Sequence, residues 1–237
     1  MLKKIIKETE DYALMEKKSG MKYLVRKDRH RYFFPEEWTK FIDSITNLKH
    51  KLFFECCLFT GGRVMEILHL KPENFSEDNV ITFKVVKHRV AKKRSYTLKK
   101  DRSFFVSKKL TRKIKKYCLE NEIDSKDYIF LDNSKLPLNY NLLPNKEKSK
   151  HYRNYKVNYY TLLKRRLKKI GIEDVHNFSL HNIRKTYGNW MKVFIDINEL
   201  CFRMGHDMET FQENYGSSMV FTEKQKLMIQ KIFGDIK

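Results

Sequence analysis

Leu48-Lys49-His50-Lys51-Leu52-Phe53-Phe54-Glu55-Cys56-Cys57-Leu58-Phe59-Thr60-Gly61-Gly62-Arg63-Val64-Met65-Glu66 is the stretch on which the reading of the fold turns. From Leu48 to Phe59 it is apolar on several sides, which predicts a helix at the centre of a core. Gly61-Gly62 breaks that helix. A short helix follows from Arg63, with Val64, Ile67 and Leu68 inward. An arginine therefore stands at a helix start, with Glu66 one turn later.

Upstream, Pro35 suits a first helical turn and Glu36 and Glu37 suit its positive end. Trp38, Phe41, Ile42 and Ile45 make one apolar face. Residues 1–33 are polar, Lys-rich and weakly periodic, and read as a basic arm or short helix preceding a single domain at 34–237. Downstream, Val80 to Val86 reads as a strand, 87–93 as a basic loop, and Arg94 to Leu98 as the return strand of a hairpin. Arg102 to Val106 reads as a third strand and Tyr128 to Leu131 as a short one. Ser107 caps a helix carrying Leu110, Ile114 and Tyr117. Residues 132–150 read as loop. The remainder reads as helices: Lys156 to Ile170, stopped by Gly171; one capped by Ser179; one opened by Asp196-Ile197-Asn198-Glu199 and ended at Gly205; one capped by Asp207; and a last one from Thr222. The expected class is mainly α with one small antiparallel β-sheet.

The balance of charge names a partner. Lys and Arg number 50 against 29 acids, a formal net charge of +21, while 41% of residues are hydrophobic and 14% aromatic, so the chain folds and needs a polyanion. Lys84 to Lys116 holds 15 basic residues and one acid, and Lys146 to Lys169 holds 10 and one. Tyr152, Tyr155, Tyr159 and Tyr160 lie in the second run. Such one-sided runs favour phosphate contact over a merely solvated face. The nucleic-acid-contact candidates are Lys84, Arg89, Lys92, Lys93 and Arg94 around the hairpin, and Arg153, Lys156 and Arg165 on the later helix. No segment has the wide apolar face that would lay a basic helix in lipid. Cys56, Cys57, Cys118 and Cys201 form no C-x-x-C pair and read as reduced core residues, which predicts a cytosolic or nuclear compartment; the location expected is the cytoplasm, at the nucleoid or in a host cell for a viral gene.

Five features are spaced for one reaction. They are the Arg63–Glu66 box, Lys87 in the basic hairpin, His181-Asn182-Ile183-Arg184 with two basic side chains on one helix face, Gly205-His206 at a helix junction, and Tyr215 nine residues later. Each has a blander reading: Arg63 paired with Glu66 on a surface, His181 and Arg184 on a solvated face, His206 as a cap, Tyr215 as a buried aromatic. A metal site from His181, His206 and a cysteine lacks ligand spacing. Together and in order, the features resemble the tyrosine recombinases, the group of phage integrases and chromosome-dimer resolvases. That resemblance covers about residue 34 to the C-terminus.

The resemblance implies the tyrosine-recombinase catalytic fold and site-specific cleavage and rejoining of double-stranded DNA through a 3′-phosphotyrosine. It implies Tyr215 as nucleophile, Arg63 and Arg184 as a phosphate clamp helped by His206, His181 as base and Lys87 as general acid, with Glu66 supporting and neither metal nor cofactor. The chemistry suits the residue types: two forked, permanently charged guanidiniums can hold the non-bridging oxygens as charge builds. The resemblance also implies self-association on DNA into a tetrameric synapse from a monomer or weak dimer, with the helix at about 222–233 docking its Leu227, Met228, Ile232 and Phe233 face on a neighbour. That docking is the argument against the alternative of type IB topoisomerase-like relaxation, and the intact constellation is the argument against a non-catalytic DNA-binding protein. Three departures stand out. Gly62 replaces an apolar residue, which is expected to loosen the turn before Arg63, and Lys185 follows Arg184 where many members have histidine. Thirty-three residues are also too few for the helical clamp domain most members carry, which leaves a minimal enzyme, a natural fragment or an excised catalytic domain.

Overall fold

The sequence's most apolar helix is the pillar of the structure, a computed structural model that describes residues 31–84, 101–215 and 221–234 and the backbone of strands 4–8, 12–16 and 22–26. Side chains of residues 145 and 213–215 lie outside this description. The pillar, α2 (Leu48–Thr60), is opened by Asn47, whose Oδ1 accepts the His50 N–H at 3.0 Å. From Leu52 to Thr60 every residue is buried. Each such Leu or Phe contributes roughly 1.5–3 kcal/mol on leaving water. Glu55, the one acid inside the run, is neutralised by Lys113 at 2.6 Å. Cys56 and Cys57 are buried and free, as are Cys118 and Cys201.

Helices α1 (Pro35–Asp43), α3 (Val64–Leu68), α4 (Lys108–Glu120) and α6 (Leu180–Met191) pack around this pillar. Ser107 and Ser179 are the N-caps of α4 and α6, as their sequence positions predict. Helix α7 (Ile197–Met204) is capped by Asp196 and ends at Gly205, and α8 (Met208–Tyr215) begins where Asp207 accepts the Thr210 N–H at 2.7 Å. Strand β4 (Val80–Phe83) pairs antiparallel with β5 (Arg102–Phe105), Val80 opposite Phe105 and Phe83 opposite Arg102. The predicted return strand Arg94 to Leu98 lies outside the described residues.

Four expectations are corrected. Residues 1–33 are not an arm or short helix: β1 (Lys4–Glu8), β2 (Tyr12–Glu16) and β3 (Lys22–Arg26) form an antiparallel sheet in that order, with β3 beside the turn Val175–Asn177. A charged residue at one end or both of each of these five-residue strands hides their alternation. Arg31, Tyr32 and Phe33 are moreover core residues, Arg31 bridging Asp174 at 2.7 Å and Glu37 at 2.5 Å beneath the Phe178 ring. Tyr128–Leu131 is buried but is not a strand; its Ile129 N–H donates to the Leu70 carbonyl at 2.9 Å. The loop predicted for 132–150 ends early, because α5 runs from Asn145 to Lys169. Only its second half buries a periodic stripe, Tyr159, Leu162, Leu163 and Leu167, and that half alone was legible.

The fourth correction concerns the tail. Helix α9 (Glu223–Phe233) starts with the predicted Thr222–Gln225 capping box. It buries Ile229 and Phe233 on its own domain, Phe233 lying 5.0 Å from Phe59, 6.3 Å from Tyr187 and 6.1 Å from Trp190. Phe233 is thus core rather than part of a docking face, while Leu227 stays exposed. Among the described residues, no helix is long and apolar enough to cross a membrane.

Candidate active site

The site forms where two chain reversals meet. Gly61 ends α2 at φ +58°, and Gly205 ends α7 at φ +61°. Both sit in the left-handed region, where a side chain is costly. Space excludes one as well: a Cβ on Gly61 would stand 2.2 Å from Tyr187 Cδ1. Each reversal points a carbonyl across the gap. The Gly61 carbonyl accepts from Arg184 Nη1 at 2.6 Å, and the Gly205 carbonyl accepts from Arg63 Nη2 at 3.2 Å. Arg184 is therefore held by the turn that precedes Arg63, and Arg63 by the turn that ends α7.

Arg184 is 2% exposed. Its Nη2 donates to the Met204 carbonyl and to His206 Nε2, the latter at 2.7 Å. A guanidinium only donates, so Nε2 accepts and a neutral His206 carries its proton on Nδ1. Arg63 is different, with 44% of its side chain exposed. Its backbone N–H donates to Glu66 Oε2 at 2.6 Å and its Nη1 contacts Glu66 Oε1 at 3.3 Å. The surface ion pair of the bland reading is real, but Glu66 is buried, and Arg63 also reaches the α7 turn. Gly62 does not loosen this turn. Its N–H donates to Thr60 Oγ1 at 3.0 Å, and Ile67 and Phe83 already occupy the space of a side chain, with Ile67 Cδ1 2.7 Å from a notional Cβ.

His181 stands in the first turn of α6, exposed at its edge but crowded. Desolvation, followed by repulsion from Arg184, Lys185 and Arg63, lowers its pKa to about 4. Burial and then Arg184, Arg63 and His181 lower His206 to about 3, Asp207 opposing. Both imidazoles are thus neutral at pH 7. Glu66 is held below the ordinary carboxylate range: burial opposes this, but Arg102, the Arg63 N–H, Arg63 and Arg184 prevail. The pocket is thus a concentration of positive charge around two neutral rings, a fit receptacle for an anion.

Tyr215 closes α8, seven residues beyond Met208, and a helix of that length carries the chain about 10 Å from the His206 turn. Phe211, 3% exposed, anchors α8 to the core. The Tyr215 side chain is outside the described residues, as are Lys87, Arg89, Lys92, Lys93 and Arg94. Lys84 is exposed just past β4. Arg153, Lys156 and Arg165 are exposed on α5, but the structure does not gather them at the site. Arg165 lies by His50, at the opposite end of α2 from Gly61, about 18 Å along that helix. Arg153 follows Tyr152, which contacts the His69 ring at 5.7 Å. Among the described residues no cluster of three or more His, Cys, Asp or Glu side chains could hold a metal ion.

Sequence reasoning missed Arg102. Its Nη2 donates to Glu66 Oε1 at 2.5 Å and its Nη1 to the Arg203 carbonyl. The signal was present: in Arg102-Ser103-Phe104-Phe105, the arginine shares the inward phase of Phe104.

No curated protein matches the chain in sequence. Solved structures do share its fold. The XerA recombinase superposes with a TM-score of 0.57 at 16% identity, over 87% of this chain and 66% of that one. The XerH site-specific recombinase bound to difH substrate, in a pre-cleavage complex, gives 0.56 at 18%, over 89% and 57%. The Tn1549 transposon integrase, residues 82–397, with circular intermediate DNA gives 0.58 at 17%, over 83% and 63%. The chain thus spans between 57% and 66% of these three in length and has the catalytic-domain fold of tyrosine recombinases. The Phage integrase family profile matches residues 32–219, a span that holds both arginines, both histidines and Tyr215, and the chain belongs to that family.

Proposed function

We propose that this protein is a tyrosine-type site-specific DNA recombinase that cleaves and rejoins DNA through a 3′-phosphotyrosyl intermediate on Tyr215. The observation that carries the proposal is the cradle, in which Arg184 spans the Gly61 and Gly205 turns and Arg63 reaches the Gly205 turn, beside two uncharged histidines. A scissile phosphate set in this cradle meets Arg63 on its open side and the Arg184–His206 pair on its closed side. Charge that grows on the non-bridging oxygens is met by donors already in place.

In the proposed step, the Tyr215 oxygen attacks phosphorus as its proton passes to neutral His181. The bond to the 5′ oxygen breaks, and that oxygen takes a proton from Lys87. The new phosphodiester keeps the energy of the broken one, so a 5′ hydroxyl can reverse the reaction. Lys84, Arg153, Lys156 and Arg165, with the hairpin cations, supply contacts along the backbone. The relatives seen with DNA, XerH and the Tn1549 integrase, support this partner. Assembly of four copies on paired sites, in the cytoplasm, belongs to the same proposal. Because α9 packs Phe233 on its own domain, the tail does not separate recombination from relaxation; a two-site exchange assay run beside plasmid relaxation does.

The test is Tyr215→Phe on a nicked suicide duplex. Wild-type protein should form a covalent adduct that maps to Tyr215, on a 3′ phosphate, leaving a free 5′ hydroxyl. The phenylalanine variant should bind DNA within about twofold of wild type and form no adduct, since phosphate contacts dominate affinity. An adduct on another tyrosine, or a 5′ linkage, overturns the assignment.

A further inference from the structure

Arg102 opens β5, opposite Phe83, at the last described pair before residues 85–100. Its side chain is 9% exposed and its guanidinium lies 5.4 Å from the Phe83 ring centre. Two donations leave it, one to Glu66 Oε1 at 2.5 Å and one to the Arg203 carbonyl. Its Cδ, Nε and Nη1 also line the bare face of Gly205, 3.2 Å from where a Cβ would stand. Arg102 therefore touches both halves of the cradle: the carboxylate beneath Arg63, and the end of α7 that holds Gly205 and His206.

Glu66 faces two arginines and does not share itself equally. Oε1 lies 2.5 Å from Arg102 but 3.3 Å from Arg63. The buried partner takes the close contact and the exposed one the loose contact. An arginine and a carboxylate left alone prefer a close, forked pairing. Without Arg102, Glu66 would have Arg63 as its near cation. The Arg63 guanidinium would then be drawn from the Gly205 carbonyl toward the carboxylate, and its charge would be spent there.

We propose that Arg102 is a positioning residue for cleavage: it neutralises Glu66 so that Arg63 keeps its charge and its place for the scissile phosphate. This rests on the recombinase reading of the site. It differs from a purely structural role in one respect. If neutralisation is what matters, removing the charge of Glu66 repairs the loss of Arg102. In Glu66→Gln the side-chain amide still offers an oxygen to the Arg63 N–H but no longer competes for its guanidinium.

The experiment compares wild type, Arg102→Met and the double variant Arg102→Met/Glu66→Gln on saturating suicide duplex, by single-turnover adduct formation. DNA affinity and thermal midpoint are measured beside it. Arg102→Met should cleave on the order of 10- to 100-fold more slowly, the scale of an angstrom-sized displacement of a reacting group. Its affinity should change by less than about twofold, because affinity is spread over many phosphates. The double variant should recover most of the rate. A single variant as fast as wild type overturns the inference, and so does a double variant as slow as the single one. Should Arg102→Met fail to fold, Arg102→Lys gives the same reading, since it keeps the charge with one donation. It should cleave near the wild-type rate, and a loss as deep as that expected for Met, at an unchanged midpoint, overturns neutralisation. A wild type that forms no adduct is a separate result: it removes the recombinase reading, and this inference with it.

Discussion

The two arginines of the cradle have the same side chain and opposite surroundings. Arg184 is buried, and carbonyls of Gly61 and Met204 with the ring of His206 use both of its terminal nitrogens. Arg63 is half in solvent, and a carboxylate with a second arginine behind it sets its position. A guanidinium fixed by neutral carbonyls loses no charge and has little freedom to move. One fixed by a carboxylate can be pulled aside or released according to how that carboxylate is neutralised. The closed side of the site is thus built by packing, and the open side is balanced by electrostatics.

The largest effect expected from this contrast is on the rate of adduct formation. Arg184→Lys should lose on the order of 10²- to 10³-fold, because an ammonium cannot reach two carbonyls and an imidazole in a fork. Arg63→Lys should lose about tenfold less. Equal losses would show that the surroundings do not matter and only the charge does. Next comes the support behind the closed side, where Tyr187 fills the space under Gly61 and Phe233 packs on Tyr187. Phe233→Ala should cost about 3 kcal/mol in chemical denaturation, against less than about 0.5 for exposed Leu227→Ala. A Phe233 variant as stable as wild type would place α9 on another molecule.

Removing the arginines themselves should separate stability from chemistry. Arg184→Ala should cost about 2 kcal/mol of folding stability, since the buried Gly61 and Met204 carbonyls lose their donors. Arg63→Ala should cost less than about 1, in keeping with a half-exposed ion pair. Denaturant midpoints read both, and the contrast fails if the order reverses. The smallest effect is on pH dependence. His206 and His181 have folded pKa values of about 3 and 4 against an ordinary 6.5. The unfolded chain then binds more protons below pH 6.5, so their contribution to stability is complete above 6.5 and lost as pH falls toward 4. Between pH 7 and 5, above most carboxylate titrations, the melting midpoint should fall. His206→Asn should flatten that slope by on the order of 1 kcal/mol. Parallel slopes would mean that His206 is not held neutral by the closed side.

Much of this was readable without coordinates, for specific reasons. Apolar crowding made α2 unmistakable, and Gly61 and Gly205 announced its end and that of α7. Cap residues at Ser107, Ser179, Asp196, Asp207 and Thr222 marked five helix starts. The first half of α5 was lost because none of its described residues is fully buried, so it has no apolar period. The N-terminal strands were lost because each is only five residues long and has a charged residue at an end. Arg102 was lost because a basic residue inside a basic run invites a surface reading.

The order and spacing of Arg63, Glu66, His181, Arg184, His206 and Tyr215 alone determined the family and the chemistry to look for, because a reaction on a phosphodiester constrains residue types and local spacing is written in the chain. Only the tertiary structure could decide that Arg184 ties the Gly61 turn to the Gly205 turn, that Arg63 reaches the Gly205 turn as well, that Glu66 leans toward Arg102, and that Phe233 closes its own core. Such contacts join residues as far apart as Gly61 and Arg184, or Arg63 and Gly205. No local pattern encodes a contact whose partner lies more than a hundred residues away; packing brings the two together.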